Sequence, residues 1–399
     1  MLFSARTVAY SHPGSEIIDT MAEVARWKGW KIVSVVLLVL VASYLVHFAV
    51  TRPAWDWDSI LYTMAALAPE TPDPVALHAR SWALVEAGMS PDSFQAMLDA
   101  FPSRRPHRAD AVAMVSFLPL YEVKPGYVWI VRQLGAFIDP VQAMRVVALP
   151  CALAILAVLF GAAWRTTGPV TLAWLPAAAL FGLSSLSTMM TPDPLATMLY
   201  VGAFAAILSG RPGIAAPPLV VVTLVRPDSV ALNVVLAIAL AVESRGLALV
   251  VAAGSLAAYG LDLALSGHVG WWRQLVLSFR PPPHDLAGFD PAFNLGTYLA
   301  VLREQTLDAL HMPWSQAALG LAILAVALLG RRAGEPAMRR AGWLLAALLA
   351  GTVLRFVIYP STEMRHYGPA LFGLCLVVLF AAAPTPAVSR PVARPDARR

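Results

Sequence analysis

Two carboxylates, Asp56 and Asp58, stand two residues apart in the stretch TRPAWDWDSILY, residues 51–62, with Trp55 and Trp57 on either side of the first. A carboxylate placed beside a hydroxyl or amine can accept its proton during group transfer. A D-x-D pair can also hold a divalent metal that bridges a phosphate. The structural alternative is that the acidic and aromatic residues only hold the chain at a membrane–water interface.

The segments around this pair have the composition of a membrane protein. Apolar residues make up 58% of the chain and charged residues only 13%, which is unlike a soluble domain. The first apolar run follows a long polar leader and predicts a signal anchor instead of a cleaved signal peptide. Runs that approach the length of a membrane span occur at 32–50, 146–163, 170–186, 194–208, 247–265, 317–330, 343–359 and 368–383.

Residues 214–242 predict two half-length helices in place of one span. Both halves are apolar, but Arg226, Pro227 and Asp228 separate them, and proline is tolerated in the first turn of a helix but not in its interior. We expect the halves to enter the membrane and return to the same side, so that the charged turn lines a cavity at mid-membrane depth. The alternative is a local Arg226–Asp228 pair that only caps the second half.

The positions of the arginines predict the orientation. With the N-terminus inside, the short connections that carry arginine fall on the inner side. The net charge of +5 is then a topology signal and argues against nucleic-acid binding. The predicted organisation is an inner leader at 1–31, a membrane domain at 32–383 with outer segments at about 52–141 and 266–313, surface helices at 74–87 and 91–100, and a disordered inner tail rich in Arg and Pro at 384–399.

Short motifs follow one another along the membrane domain: DSILY at 58–62, KPGYVW at 124–129, AMR at 143–145, TPDPL at 191–195, RPD at 226–228 and RHYGPAL at 365–371. In this order they resemble the polyprenyl-phosphate-sugar glycosyltransferases of the C-type fold, especially the protein O-mannosyltransferases and lipid A aminoarabinose transferases. The resemblance covers about residues 30–383. The chain departs from it in having DWD in place of DE, Gly126 in place of the second proline of KPPL, and helical inserts between the first two motifs.

The resemblance implies an all-α, polytopic membrane bundle of about nine to eleven membrane helices, with the active site facing the periplasm or exterior of a bacterial inner membrane. It implies transfer of a sugar from a polyprenyl-phosphate donor to a lipid, glycan or protein acceptor, among membrane lipids. It requires no cofactor and leaves the use of a divalent metal open.

The resemblance also assigns roles to residues. Asp58 takes the position of the general base through its spacing to Tyr62, with Asp56 as partner or alternative. Lys124 takes the position that reaches the donor phosphate, the alternative being an interfacial lysine that only anchors the chain. The further candidates for substrate binding are Tyr62, Asp193, Arg226, Arg355, Arg365, His366 and Tyr367. For Asp193 a helix-capping role is an equal alternative, because TPDP is a typical helix start.

The competing function is a membrane transporter or lipid flippase. A broken hairpin with buried charges also marks the substrate sites of carriers. However, no second half of the sequence mirrors the hairpin, and the densest acidic motif lies in a predicted outer segment. Both observations favour the enzyme.

Overall fold

The structure, a computed structural model, describes residues 13–266, 270–280 and 283–384, with side chains from residue 28 onward. Residues 1–12 of the predicted leader and 385–399 of the predicted tail lie outside the described residues. Within the described ranges every regular element is a helix, and a single β-bridge joins Ala54 to Met189. The all-α prediction is therefore confirmed.

The α-helices in chain order are α1 (Pro13–Thr51), α2 (Trp57–Leu67), α3 (Pro74–Gly88), α4 (Pro91–Asp99), α5 (Arg104–Ala109), α6 (Ala111–Val115), α7 (Pro119–Glu122), α8 (Pro125–Gly135), α9 (Pro140–Ala163), α10 (Trp174–Leu180), α11 (Leu183–Thr188), α12 (Asp193–Leu208), α13 (Pro212–Val225), α14 (Ser229–Leu240), α15 (Arg245–Ser266), α16 (Trp271–Phe279), α17 (Leu295–His311), α18 (Pro313–Gly330), α19 (Pro336–Ile358) and α20 (Gly368–Ala382). Two 3₁₀-helices, Gly168–Leu172 and Met364–Tyr367, precede α10 and α20.

Six helical segments in the described ranges are long and apolar enough to cross a membrane: Lys28–Thr51, Pro140–Ala163, Arg245–Ser266, Pro313–Gly330, Pro336–Ile358 and Met364–Ala382. Apolar side chains such as Val39, Leu319 and Val353 are exposed on three of them, as expected of surfaces that face lipid. The chain thus has the architecture of a polytopic membrane protein. The larger count of nine to eleven membrane helices stays a prediction.

The predicted span at 170–186 does not form one continuous helix. The chain there forms a 3₁₀-helix and the short helices α10 and α11. Pro169 and Pro176 each remove a backbone donor. Gly182 then turns the chain with a positive φ of 64°, a conformation that glycine adopts at little cost.

The predicted break at residues 226–228 is confirmed, because α13 ends and α14 begins on either side of it. Asn233 of α14 donates hydrogen bonds to the Leu219 carbonyl and to Thr223 Oγ1 of α13, so the two half-length helices fold back side by side. Tyr200 of α12 donates to Asn233 Oδ1 at 2.9 Å. Helix α13 packs against α12 and α15, and α14 packs against α15 and α19. The side from which the hairpin enters the membrane stays a prediction.

The helices predicted at 74–87 and 91–100 are present as α3 and α4. The prediction placed their apolar faces on the membrane surface, but in the structure these faces point into the protein. Leu77, Phe94 and Leu98 are buried in the protein core, and Phe94 packs edge-to-face on Trp82 with ring centroids 6.0 Å apart. These faces stabilise the loop beside α2 and are not free to contact lipid.

Candidate functional site

Asp58 lies in the first turn of α2, and each of its carboxylate oxygens has a partner. The Tyr121 hydroxyl donates to Oδ1 at 2.7 Å, and Arg365 Nη1 donates to Oδ2 at 2.9 Å. Burial opposes ionisation of this carboxyl, but the charge of Arg365 and the hydrogen bond from Tyr121 outweigh it, so the pKa of Asp58 lies below its ordinary value. Asp58 is therefore an ionised carboxylate in a fixed orientation at neutral pH.

Asp56 has a different environment from Asp58. Its Oδ1 accepts a hydrogen bond from the Ser59 backbone N–H at 3.0 Å and so caps α2. Burial, together with the neighbouring Asp58 carboxylate, raises the pKa of Asp56 to about 7. The sequence left the two aspartates as alternatives, whereas the geometry gives Asp56 a capping role and turns Asp58 toward an arginine.

The tryptophans beside the acidic pair pack within the protein, which argues against the interfacial interpretation of this stretch. Trp57 contacts Trp82 and His107, with ring centroids 6.1 and 5.5 Å apart. Trp55 lies so close to Gly88 that a Cβ at residue 88 would clash with the indole ring. Both tryptophans hold the start of α2 against α3 and α5.

Lys124, which directly precedes α8, is a cation without a carboxylate partner within 4.0 Å in the described part of the chain. Its Nζ lies 5.2 Å from the ring centroid of Tyr62 and 5.1 Å from that of Tyr121, and its hydrogen bond to the Leu120 carbonyl is long, at 3.4 Å. Burial is the main reason that the pKa of Lys124 falls to about 8. Lys124 is thus mostly charged at pH 7 and available to an anion.

The aromatic ring of Tyr62 packs beneath the Lys124 ammonium. Its side chain is 2% exposed and packs edge-to-face on Tyr121 and Tyr127, with ring centroids 4.9 and 5.1 Å apart. The predicted substrate-binding role of Tyr62 stays a prediction. What the packing shows is that Tyr62 positions Tyr121 and Lys124.

Gly126, the departure from the KPPL pattern, has a packing explanation. A Cβ at this position would lie 3.0 Å from the backbone carbon and oxygen of Leu224. Helix α8 therefore approaches the end of α13 more closely than a larger residue would allow. This contact brings Lys124 near the tip of the broken hairpin.

At the tip of the hairpin, Arg226 and Asp228 form a network of charged side chains with Asp193 of α12 and Arg355 of α19. Arg226 forms two hydrogen bonds with the Asp228 carboxylate, each of 3.1 Å, and also pairs with Asp193. Arg355 donates to Asp228 Oδ2 at 2.6 Å. Asp193 is 3% exposed, accepts a hydrogen bond from Thr191 Oγ1 at 2.7 Å and makes no capping bond. The local Arg226–Asp228 pair exists, but it is one part of a larger network, and the capping role of Asp193 is wrong.

This network lines a cleft of about 470 Å³, its open mouth included, between α12, α14, α19 and α20. Arg365, His366 and Tyr367 enter it from the 3₁₀-helix before α20. Three buried polar atoms of lining residues have no hydrogen-bond partner among the described residues: Arg355 Nη1, His366 Nδ1 and Thr197 Oγ1. Each can donate a hydrogen bond, His366 in its Nδ1–H tautomer. The cleft is thus suited to a ligand rich in acceptor oxygens, such as a phosphate.

Six of the ten predicted site residues line the cleft, namely Asp193, Arg226, Arg355, Arg365, His366 and Tyr367. Arg365 connects it to Asp58, while Asp56, Tyr62 and Lys124 are not among the residues of its wall. The Tyr367 hydroxyl donates to the Ser361 carbonyl at 2.7 Å and its ring stacks on Trp314, so this tyrosine shapes the wall and its hydroxyl is already engaged.

Two residues that the sequence interpretation missed belong to the site. Tyr121 orients Asp58 and lies three residues before Lys124. Thr197 lies four residues after Asp193 and hence on the same face of α12. That helical spacing was a usable signal for Thr197, whereas nothing local pointed to Tyr121.

Among the residues that the structure describes, no group of three or more His, Cys, Asp or Glu side chains is arranged to hold a metal ion. The use of a divalent metal therefore stays an open prediction.

No protein family, curated protein or solved structure matches this chain. The roles that the resemblance assigned to individual residues consequently stand as proposals that depend on the geometry above.

Proposed function

We propose that the chain is a membrane glycosyltransferase that moves a sugar from a polyprenyl-phosphate donor to a lipid, glycan or protein acceptor. The observation that supports this most is that Arg365 joins an ionised carboxylate, Asp58, to a cleft with buried hydrogen-bond donors. The resemblance to the C-type glycosyltransferases, a site on the exterior side of a bacterial inner membrane and nine to eleven membrane helices belong to the same proposal.

Asp58 is the general base in this proposal. The acceptor oxygen or nitrogen forms a bond to the anomeric carbon of the sugar while the bond from that carbon to the phosphate oxygen breaks. The acceptor's proton passes to Asp58, and the bonding electron pair leaves with the polyprenyl phosphate. Tyr121 and Arg365 hold the carboxylate in one orientation. The low pKa of Asp58 keeps it ionised, so it receives the proton late, when bond formation has made the acceptor group acidic.

The leaving phosphate gains negative charge as the sugar departs, and cations fixed beforehand stabilise that charge best. Lys124 contributes an ammonium without a carboxylate partner in the described ranges. Arg355 and His366 each contribute a buried, unpartnered nitrogen. Charge-assisted hydrogen bonds of this kind are roughly twice as strong as neutral ones. We assign the phosphate to the cleft that Arg355 and His366 line. Lys124 lies outside the wall of this cleft and, in this proposal, reaches the phosphate from beside the tip of the broken hairpin.

A transporter or lipid flippase is the alternative, favoured by the charged network at the tip of the broken hairpin. Such a protein would use the cleft to hold a headgroup. It has no need for an ionised carboxylate oriented by both a tyrosine and an arginine at the edge of that cleft, and this difference is our reason for preferring the enzyme.

The test compares Asp58→Asn with wild type for release of free polyprenyl phosphate. Purified protein in vesicles receives radiolabelled polyprenyl-phosphate sugars and an extract of membrane acceptors. Loss of a general base lowers turnover by roughly 100- to 10,000-fold, and we expect a loss in this range. Asp92→Asn, at an exposed position in the first turn of α4, is the matched control and should leave the rate unchanged. Equal rates for Asp58→Asn and wild type would remove Asp58 as the base.

A further inference from the structure

A second groove lies at the opposite end of three helices that form the cleft. The cleft uses the first turns of α12 and α14 and the last turns of α19, whereas the groove uses the last turns of α12 and α14 and the first turns of α19. Its walls are apolar and include Ile207, Leu236 and Leu240. An ion pair, Arg340 with Glu243, completes the lining.

Arg340 retains hydrogen-bonding capacity despite its ion pair. Its Nε contacts both carboxylate oxygens of Glu243, at 2.7 and 3.0 Å. Its terminal nitrogens make no hydrogen bond to other described residues, and Nη1 lies beside Gly210, 3.0 Å from where a Cβ would be. Arg211 and Arg339, the chain neighbours of Gly210 and Arg340, are both exposed. The groove therefore ends in a basic surface.

The groove also exposes a side chain typical of the membrane interface. Trp343 lines it and is 44% exposed, and tryptophan is enriched where one end of a side chain is apolar and the other contacts water. A free phosphate would satisfy Arg340 but would leave the leucine walls uncovered. A ligand with an anionic headgroup and an acyl chain satisfies both.

We propose that this groove binds one anionic phospholipid, with the headgroup phosphate on the terminal nitrogens of Arg340 and an acyl chain along Leu236 and Leu240. Basic pockets between membrane helices are known sites for anionic headgroups. The Glu243 carboxylate competes with the phosphate for the same guanidinium. The binding does not depend on the proposed transferase activity.

The competition gives a test that separates a lipid site from a purely structural ion pair. Arg340→Gln should weaken retention of the lipid, and Glu243→Gln should strengthen it, because the variant removes the competing carboxylate. If the pair were only structural, both substitutions would act in the same direction. Arg331→Gln, at an exposed position after α18, is the matched control for loss of one basic charge.

The measurement is native mass spectrometry of the full chain released from detergent with phosphatidylglycerol or phosphatidylcholine. We expect wild type to retain phosphatidylglycerol about 10-fold better than phosphatidylcholine, which is the effect of one charge-assisted hydrogen bond. Arg340→Gln should reduce that preference toward one, Glu243→Gln should raise it several-fold and Arg331→Gln should leave it unchanged. Ala239→Phe, which fills the groove without changing its charge, should abolish retention, and this variant keeps the proposal testable if Arg340→Gln does not fold.

Three results would overturn the proposal. One is equal retention of phosphatidylcholine and phosphatidylglycerol by wild type. Another is an equal loss in Arg331→Gln and Arg340→Gln, which would mean a diffuse basic surface. The third is binding of glycerol phosphate as tight as that of the lipid, which would mean that the apolar groove contributes nothing.

Discussion

Replacing Lys124 by methionine should lower kcat/KM for the lipid-linked donor by about 10- to 150-fold at pH 7. Methionine keeps most of the length of the side chain, which lies over the rings of Tyr62 and Tyr121, but removes the ammonium. One hydrogen bond to a charged group is worth about 1.5–3 kcal/mol, and each 1.36 kcal/mol is a factor of ten in rate. The predicted range follows from the loss of one such bond to the donor phosphate.

The pH dependence makes this prediction sharper. Burial lowers the pKa of Lys124 to about 8, so roughly nine-tenths of the side chain is protonated at pH 7 and about one-hundredth at pH 10. The contribution of the lysine is therefore complete at low pH and is lost as the pH rises through 8. The ratio of wild type to Lys124→Met should shrink toward one between pH 7 and pH 10. Lys124→Arg, which stays charged, should not show this decline.

The assay is the initial rate of polyprenyl-phosphate release against donor concentration, from pH 6.5 to pH 10. Lys28→Met, at an exposed position in α1, is the control for loss of a lysine elsewhere. An unchanged kcat/KM at pH 7 would show that Lys124 does not bind the donor. A ratio of wild type to variant that stays constant across this pH range would refute the role of its charge and leave only a packing role.

Three further substitutions test the structure more locally. Gly126→Ala should destabilise the protein by about 1–3 kcal/mol, because the Cβ would press on the Leu224 backbone; an unchanged thermal midpoint in detergent would contradict the close contact of α8 with α13. Asp56→Asn should keep the cap of α2 but flatten the pH dependence of the free energy of unfolding. Burial raises the pKa of Asp56 from 3.8 to about 7 in the folded protein. Because the folded state therefore binds one more proton than the unfolded state in this range, wild-type stability falls as pH rises from about 4 to about 7. An equal dependence of unfolding free energy on pH in wild type and Asp56→Asn would contradict the raised pKa of Asp56. Asp228→Asn should lower the free energy of unfolding by about 1–3 kcal/mol. This is less than the loss of a fully buried ion-pair partner, because the Asp228 side chain is 33% exposed. A denaturation midpoint equal to that of wild type would refute the bridging of Arg226 and Arg355 by Asp228.

The helical framework was largely predictable, because it depends on local composition. Apolar runs marked six helices that could span a membrane, and the charges and proline at 226–228 marked the break in the hairpin. The run at 170–186 was counted as one span without weighing two residues. Pro176 has no N–H to continue the helical hydrogen bonds from Gly168–Leu172 into α10, and Gly182 separates α10 from α11.

The pairing of the site charges was not predictable in the same way. Asp58 and Arg365 are 307 positions apart in the chain, and Asp193 and Arg226 are 33 apart. Which carboxylate reaches which guanidinium depends on how whole helices pack, and one sequence carries no direct signal for that. The distinction between Asp56 and Asp58 likewise required the start of α2 to be known to the residue, since the cap and the first turn differ by two positions.

The most direct measurement counts both products in vesicles that contain wild-type protein, a polyprenyl-phosphate sugar and acceptor. We expect one polyprenyl phosphate to be released for each sugar that becomes attached to acceptor, with both amounts rising together over time. If the sugar-lipid instead crosses the bilayer intact and no polyprenyl phosphate is released, the protein is a flippase and the proposed transferase chemistry at Asp58 is wrong.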